Sequence, residues 1–502
     1  MSAQSSAATV VESRRTPRYL PWVNRALLLA LLLFAFTVPL DTKAAVLAFR
    51  LAIVLWLLRL VMDRRRRPML PLAAPLFAFL ASCAVASALS FAPLLSWGRM
   101  RSITVLLLAI LLPEFITELR QLKWIVTALL LGCAIAVGWT GWTYAAGIGV
   151  KLGSPARVLR PVLKPGDIVE SVDGRRIHTP AEWQRALTGG SSLQLHLRVL
   201  RGVTQVTDKV EIARAAVLRA GLEKMGATKR GRPQRAPGLF YSYIPFSELL
   251  MMAGLLLGGL LAAGTFRNRW KQIAATILFL GVLAALIATA TRAPLALLLC
   301  GSFVLCWVTA KRKFRPLLAL LLLGATLLVS LWIHHQRGLR WFSEDAGTQY
   351  RLLMWRDGLR MIPQHPLFGV GFDSVVGLPG RWHLEAYERF PNLRSHFHSV
   401  PIQLAVEGGL VTLATWAWLI AAYFVLLWRL AARSRVDPFA HGLSLGLLAA
   451  IAGFTLISLV HYAFGDAEVM ALFWLFIGLG TALECLLPAG QANPHSETCV
   501  AN

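Results

Sequence analysis

The sequence predicts an all-α polytopic membrane protein of about 12 transmembrane helices that carries a small α/β insertion. Composition is the first observation, since 56% of the 502 residues are hydrophobic and 15% are charged. Mean hydropathy is +0.60, a value typical of membrane proteins. Apolar stretches that approach the roughly 20 residues needed to span a bilayer also recur along the chain. Finally, basic residues occur in every second connection between these stretches, as the cytoplasmic loops of membrane proteins require.

Twelve stretches satisfy the length criterion. They are residues 24–40, 44–62, 69–90, 99–117, 124–146, 244–264, 272–290, 294–310, 316–333, 405–428, 439–461 and 468–487. Basic clusters precede the first span and follow the second, fourth, sixth, eighth and tenth, as Arg64 to Arg67 and Lys311 to Arg315 illustrate. Because Lys and Arg mark the cytoplasmic side, both termini are predicted to be cytoplasmic and the two long connections periplasmic.

The spans divide the chain into six predicted segments. Helices one to five lie in residues 1–146, a periplasmic insertion with a basic linker in 147–243, helices six to nine in 244–333, a second periplasmic segment in 334–404, helices ten to twelve in 405–488 and a cytoplasmic tail in 489–502. The net charge of +26 indicates basic loops and contact with anionic lipids, and no nucleic-acid partner is predicted. The six cysteines show no disulfide or zinc spacing.

The insertion contains a strand, turn and helix pattern. Within residues 163–202 an apolar strand leads into an Asp173-Gly174 hairpin, a helix begins at Thr179, and an alternating strand follows. This pattern resembles PDZ domains of the bacterial protease type, which bind peptide ends by strand addition. The resemblance implies a peptide or protein partner, with residues 147–150 in the place of the carboxylate-binding loop. A spacer or docking module is the alternative.

Two histidines stand at the edge of the tenth span. His396 and His398 precede an apolar run, and His398-Ser399 is followed after nine residues by Gly409 and, three positions later, by Thr412. Ionisable side chains at a membrane span are costly and therefore functional candidates, and histidine transfers protons near neutral pH. The alternative is a histidine that merely sits among the lipid headgroups.

Two arginines are the next candidates. Arg292 ends the seventh span after Thr291, and Arg351 precedes Trp355 by four residues, ahead of a Pro-x-x-Gly-x-Gly turn at residues 366–371. A guanidinium stays charged and its planar fork matches phosphoryl oxygens. The alternatives are snorkelling for the first arginine, and helix-surface packing or a cation–π contact for the second.

These motifs together resemble the bacterial O-antigen ligases over residues 265–425. Their superfamily also contains Wzy-type polysaccharide polymerases and protein O-oligosaccharyltransferases. The resemblance implies an enzyme of the bacterial inner membrane that transfers a glycan from undecaprenyl diphosphate to an acceptor hydroxyl at the periplasmic face. It implies His398 as the base and Arg292 and Arg351 on the diphosphate. It also implies an inverting, metal-independent glycosyltransferase that needs no cofactor.

The acceptor is the open part of this prediction. Lipid A–core is favoured, a growing polysaccharide would define a polymerase, and a protein hydroxyl an oligosaccharyltransferase; membrane lipids are further partners. A transporter or scaffold without enzymatic activity is the alternative class. Weaker substrate-binding candidates are Arg356, Arg394, His396 and Glu407. A polar cluster between the last two spans contacts the acceptor sugar or is ordinary surface; it comprises His461, Asp466 and Glu468.

Overall fold

The structure is a computed structural model of the chain. It describes residues 19–63, 70–147, 149–153, 163, 166–177, 179–189, 193–201, 206–220, 227–228, 235–236, 238–240, 242–317, 320, 324, 327, 346–391 and 395–487. Among these residues, helices dominate and one small antiparallel sheet interrupts them. The predicted fold class, an all-α polytopic membrane protein with an α/β insertion, is confirmed.

The first helical bundle precedes the sheet. Its helices are α1 (Leu20–Thr37), α2 (Thr42–Met62), α3 (Ala73–Ala88), α4 (Pro93–Ile103), α5 (Leu108–Phe115) and α6 (Leu119–Ala146). A 3-10 turn over Thr104–Leu107 joins α4 to α5, so that the two form one span with a change of pitch. At 16 residues, α3 is shorter than the predicted third span.

The sheet follows α6 directly. Its elements are β1 (Val150–Leu152), β2 (Ile168–Val172), β3 (Arg175–Arg176), α7 (Pro180–Thr188), β4 (Gln194–Arg201), β5 (Val206–Ala213), α8 (Arg214–Ala220) and β6 (Ala227–Thr228). The strand order is β5-β4-β2-β1-β6, and β3 pairs with β2. The predicted strand, hairpin, helix and strand are all present. Thr179 caps α7 by accepting a hydrogen bond from Glu182 N at 3.2 Å, and Asp173 and Gly174 both have positive φ.

One edge of the sheet bears on the predicted peptide site. Strand β1, which follows the loop at Gly149, pairs with β2 on one side and with β6 on the other. A peptide that added to β1 would therefore have to displace β6. The PDZ resemblance stays a prediction, and the strand pairing favours its spacer alternative. Of the basic linker, Arg214 forms an ion pair with Asp173 at 3.1 Å.

The remaining helices complete the bundle. They are α9 (Tyr243–Ala262), α10 (Arg269–Thr289), α11 (Arg292–Thr309), α12 (Ala346–Met361), α13 (Ser374–Gly377), α14 (Glu385–Arg389), α15 (Val400–Glu407), α16 (Gly409–Arg433), α17 (Pro438–Ile457) and α18 (Ala467–Leu486). Ten helical stretches among the described residues are long and apolar enough to cross a membrane. The ninth predicted span, residues 316–333, lies almost entirely outside the described residues.

Helices α9 and α18 form the centre of the bundle, since most of the residues along both are buried. Glycines permit close approach where α9 crosses α17, because a Cβ on Gly259 would lie 2.4 Å from the Cα of Gly446. Small residues commonly allow such crossings in membranes. The predicted tenth span was wrong in its start, because a helix break separates α15 from α16 at Gly409, whose φ is +76°.

Candidate histidine site

A strained loop presents the two motif histidines. His398 has a φ of +52°, a conformation that costs a residue with a side chain about 1–3 kcal/mol and recurs at functional sites. Neighbouring groups hold it there. Gln403 Oε1 accepts from Phe397 N at 2.8 Å, and His396 Nδ1 accepts from His398 N at 3.2 Å. Val400 N donates to Ser458 O at 2.8 Å, which fixes the start of α15 against the end of α17.

Three histidines converge at this loop. The ring of His396 lies 4.4 Å from that of His398 and 6.0 Å from that of His461, and His398 lies 6.4 Å from His461, centroid to centroid. His461 follows α17, so the loop between the last two spans completes the group. His398 Nδ1 is buried without a hydrogen-bond partner among the described residues.

A buried carboxylate supports the third histidine. Glu248 lies on α9 and is only 1% exposed, and its Oε1 is 2.7 Å from His461 Nδ1. Burial alone lowers the pKa of His461, but Glu248 and, more weakly, Asp466 outweigh burial and raise that pKa above its usual 6.5. His461 is therefore the histidine of this group whose pKa is raised, beside two whose pKa is lowered.

We expect Glu248→Gln to make the stability of the protein depend on pH in a defined way. Because the pKa of His461 is higher in the folded state, its interaction with Glu248 stabilises fully below about pH 6.5 and is lost as pH rises through the folded-state pKa. The variant should lose about 1–3 kcal/mol of unfolding free energy at about pH 6 and less at about pH 9. Thermal unfolding in detergent, followed by tryptophan fluorescence, measures this difference.

Glu484→Gln is the matched control for that variant. Glu484 lies in the last turn of α18 and forms an ion pair with Arg433, at the end of α16. Its partner does not titrate in this pH range, so the destabilisation should be the same at both pH values. A Glu248→Gln effect that is equally independent of pH would contradict the assignment of the proton to His461.

The other two histidines are neutral bases. Burial first, and then the charge of Arg351 and of His461, lower the pKa of His398 to about 3. Burial and the neighbouring histidines lower the pKa of His396 to about 2, with smaller contributions from Arg99 and Arg351. An unprotonated imidazole can accept a proton, so both rings are in the form that a general base requires.

Helix α12 brings Arg351 to the histidines. It is described over Ala346–Met361 and ends before a 3-10 turn that contains Pro363. The ring of Tyr350 packs edge-on against His398 with centroids 5.7 Å apart, and burial raises the pKa of its hydroxyl to about 12. The adjacent Arg351 is near enough to depress the pKa of both motif histidines.

The register between α9 and α11 places Arg292 at the level of the histidine group. It opens α11, which packs against α9, so that a Cβ on Gly254 would meet Leu298 and one on Gly258 would meet Leu305 and Ser302. The two helices run parallel here. Six residues toward the N-terminus from Gly254 lies Glu248, and six residues toward the N-terminus from Leu298 lies Arg292, so these two residues are at the same level. Since Glu248 contacts His461, the first residue of α11 stands at the level of the histidine group.

The predicted Pro-x-x-Gly-x-Gly turn holds the break between α15 and α16. Val370 N donates to Val406 O at 3.0 Å and Gly371 N to Glu407 O at 2.8 Å, while Leu410 N donates to Pro366 O at 2.8 Å. The backbone of this turn thus satisfies groups that the helix break leaves free. Glycine is required at residue 409, because a Cβ there would lie 2.1 Å from Leu367 O.

Gly409→Ala should therefore destabilise the site. Positive φ alone costs an alanine about 1–2 kcal/mol, and the contact with the turn adds to this cost. Gly264→Ala is the matched control, because Gly264 has a φ of +67° but a Cβ added there would meet nothing within 4 Å. We expect Gly264→Ala to lower the melting temperature slightly and Gly409→Ala to lower it much further. Equal shifts in melting temperature would show that the turn accommodates the added Cβ at no cost in stability.

The weaker substrate-binding candidates differ in their surroundings. Arg356 forms an ion pair with Glu385 on α14, so its charge is already matched. Arg394 lies outside the described residues. The Glu407 carboxyl is fully buried, which raises its pKa to about 8, and Gln403 is the side chain that holds the histidine loop, by accepting from Phe397 N. The sequence analysis missed Gln403 and Glu248; an acidic residue within an apolar span was the available signal for Glu248.

The geometry also has the spacing of a metal site. One ligand atom from each of His396, His398 and His461 lies within 4.8 Å of the others, and Glu248, His461 and Asp466 form a second such group. A neutral imidazole is a suitable ligand for a transition metal, but Arg351 and Arg99 act on the same rings and oppose a cation. The predicted absence of a metal stays a prediction.

Comparison with known proteins agrees with this architecture. Residues 275–417 match the family model described as O-antigen ligase. The similarity to that family covers this segment, and we refer to it as the ligase domain. It contains Arg292, Arg351, His396 and His398, and it ends within α16. No curated protein matches the chain.

The ligase domain indicates an enzyme of glycan transfer, of the ligase or polymerase type, that works with a glycan donor and an acceptor. Together with the apolar helices it makes the chain a multi-pass membrane protein. Glu248 and His461 lie outside the ligase domain, yet both contribute to the histidine group.

Proposed function

We propose that the protein transfers a glycan from undecaprenyl diphosphate to a hydroxyl of lipid A–core, at the periplasmic face of the bacterial inner membrane. The observation that carries this proposal is the convergence of a neutral His398 with the charge of Arg351 at the end of a membrane bundle. Glycosyl transfer needs a base for the acceptor hydroxyl and charge neutralisation for the leaving diphosphate. These side chains supply both.

In the proposed reaction His398 Nε2 takes the proton of the acceptor hydroxyl. The oxygen attacks the anomeric carbon, the bond from that carbon to the diphosphate oxygen breaks, and undecaprenyl diphosphate leaves with the electron pair. Attack opposite the leaving group inverts the anomeric centre. Arg292 and Arg351 donate to the diphosphate oxygens as their charge increases. The side chains account for each step without a metal or a cofactor.

Donor binding would also activate the base. Arg351 is one of the charges that lower the pKa of His398, and a diphosphate placed against that guanidinium offsets its field. The pKa of His398 then rises toward the range in which a general base works best. Donor binding would therefore make His398 a stronger base, while burial, the largest cause of its low pKa, remains.

Deleting the gene and resolving the lipopolysaccharide on a gel tests the proposal. Lipid A–core without any attached chains is the expected result. A core that carries a single repeat would identify a polymerase, and unchanged lipopolysaccharide would contradict the lipid A–core acceptor and favour another glycan or a protein. Purified protein in vesicles with both substrates should then restore transfer without added metal or nucleotide.

A further inference from the structure

An apolar cavity adjoins the histidine group. It has a volume of about 310 Å³ and lies among α1, α2, α3, α4, α15 and α18, a size within the range of pockets that bury small molecules, about 300–1,000 Å³. Its walls are mainly aromatic and aliphatic, with Phe49, Phe79, Phe372 and Trp474 among them. The cavity therefore suits a hydrocarbon chain.

Two guanidinium groups line the same cavity. Arg99 extends from α4 and donates to Phe464 O at 3.0 Å, and it lies 3.9 Å from Asp373. Arg50 stands in the middle of the α2 span with an exposed side chain, and the described residues give it neither a hydrogen bond nor an ion pair. An arginine within a membrane span is costly. Arg50 in this position favours an anionic group at the mouth of the cavity.

The cavity is connected to the chemistry. Tyr462 lines it, and the ring of Tyr462 lies 5.0 Å from that of His396. Phe372 and Leu404 also line it, and they belong to the turn and to the helix that hold the histidine loop. A lipid whose chain occupied the cavity would therefore present its headgroup beside the histidines.

We propose that this cavity binds the acceptor, as a glycolipid with acyl chains and a phosphorylated headgroup. The inference rests on the proposed function, which places the donor diphosphate at Arg292 on α11. Helices α9, α10, α11 and α17 contribute nothing to the lining of the cavity among the described residues. We therefore assign the polyprenyl chain of the donor to the α11 side and this separate cavity to the second lipid of the reaction. One acyl chain enters the apolar cavity, and Arg50 binds the phosphate.

Two variants of the full-length protein test this site. Ala45→Phe fills the cavity, and Arg50→Gln removes the charge at its mouth. Their matched controls are Leu47→Phe, which is 71% exposed on the same helix, and Arg120→Gln, whose side chain is 70% exposed on α6. Each protein is reconstituted in phosphatidylethanolamine vesicles with the lipid-linked donor. The acceptor is either lipid A–core or the same oligosaccharide after chemical removal of its acyl chains.

Both test variants should raise KM for lipid A–core about tenfold, the effect of one charge-assisted contact. KM for the donor should not change, and the controls should behave as wild type. Transfer to the deacylated acceptor should be unchanged in Ala45→Phe, whereas Arg50→Gln should also weaken it, because that acceptor keeps its phosphate. A higher KM for the donor would assign the cavity to the polyprenyl chain, and an equal loss of Ala45→Phe with both acceptors would indicate a purely structural role. Either result would overturn the proposal.

Direct binding separates this inference from the proposed function. Radiolabelled lipid A–core is bound to the variants and to wild-type protein in detergent, with phosphatidylglycerol as competitor. Weaker binding by Arg50→Gln supports the site even if no protein transfers glycan, in which case only the proposed function fails. Binding that the variants leave unchanged, or that phosphatidylglycerol abolishes at equal concentration, overturns the acceptor site.

Discussion

Replacing His398 by asparagine should lower the rate of glycan transfer by about 10²–10⁴-fold, the usual contribution of a positioned general base. Asparagine is chosen because it tolerates positive φ better than most residues, and the loop holds residue 398 at +52°. The fold should therefore survive while the base is lost. Initial rates in vesicles with lipid-linked donor and lipid A–core measure the effect, and melting temperatures verify folding.

His383→Asn is the control for this prediction. His383 is exposed and precedes α14, so its replacement should leave the rate unchanged. If the His398→Asn protein melted normally and retained full activity, the base would have to be another group. His396 is the neighbouring imidazole and would be replaced next.

Arg351→Lys should raise KM for the lipid-linked donor about 10- to 150-fold, which corresponds to the loss of hydrogen bonds to a charged group, about 1.5–3 kcal/mol. Lysine preserves the positive charge but not the planar fork that binds two phosphoryl oxygens. Arg292→Lys should act in the same direction. KM for the acceptor should stay constant, because the proposed acceptor headgroup is bound elsewhere.

Arg360→Lys provides the comparison on the same helix. Its side chain is exposed and it lies in the last turn of α12, so the donor KM should match that of wild type. A donor KM unaffected by Arg351→Lys and Arg292→Lys alike would remove the diphosphate contact from the proposed reaction. The acceptor would then be the substrate to examine against these two side chains.

Most of the helices could be predicted from the lengths of the apolar stretches in the sequence. Spans such as α2 and α18 begin within two residues of their predicted starts, because hydropathy reports the membrane crossing directly. The prediction was poorer at the break before Gly409. There the apolar pattern continues through two helices, and the interruption depends on a turn at residues 366–371 that binds the backbone from a distance along the chain.

The site was predictable in part for a similar reason. His396 and His398 are close to each other in the sequence and carry a recognisable motif, as does Arg351. Glu248 gave no such pattern, because its importance comes from a contact with His461 more than 200 positions later. Gln403 was missed because its side chain bonds to a backbone N–H, and such pairings leave no spacing rule in the sequence.

The pairing of α9 with the end of α17 has a consequence for engineering. Residues 275–417 contain His398, the proposed base, and the two arginines proposed to bind the diphosphate, but Glu248 and His461 come from outside that stretch. Grafting this segment into a related protein would transfer only part of the histidine group. The residues of the recipient at the positions of Glu248 and His461 would then determine the pKa values in the site. Chimeras should exchange Glu248 and His461 along with this segment.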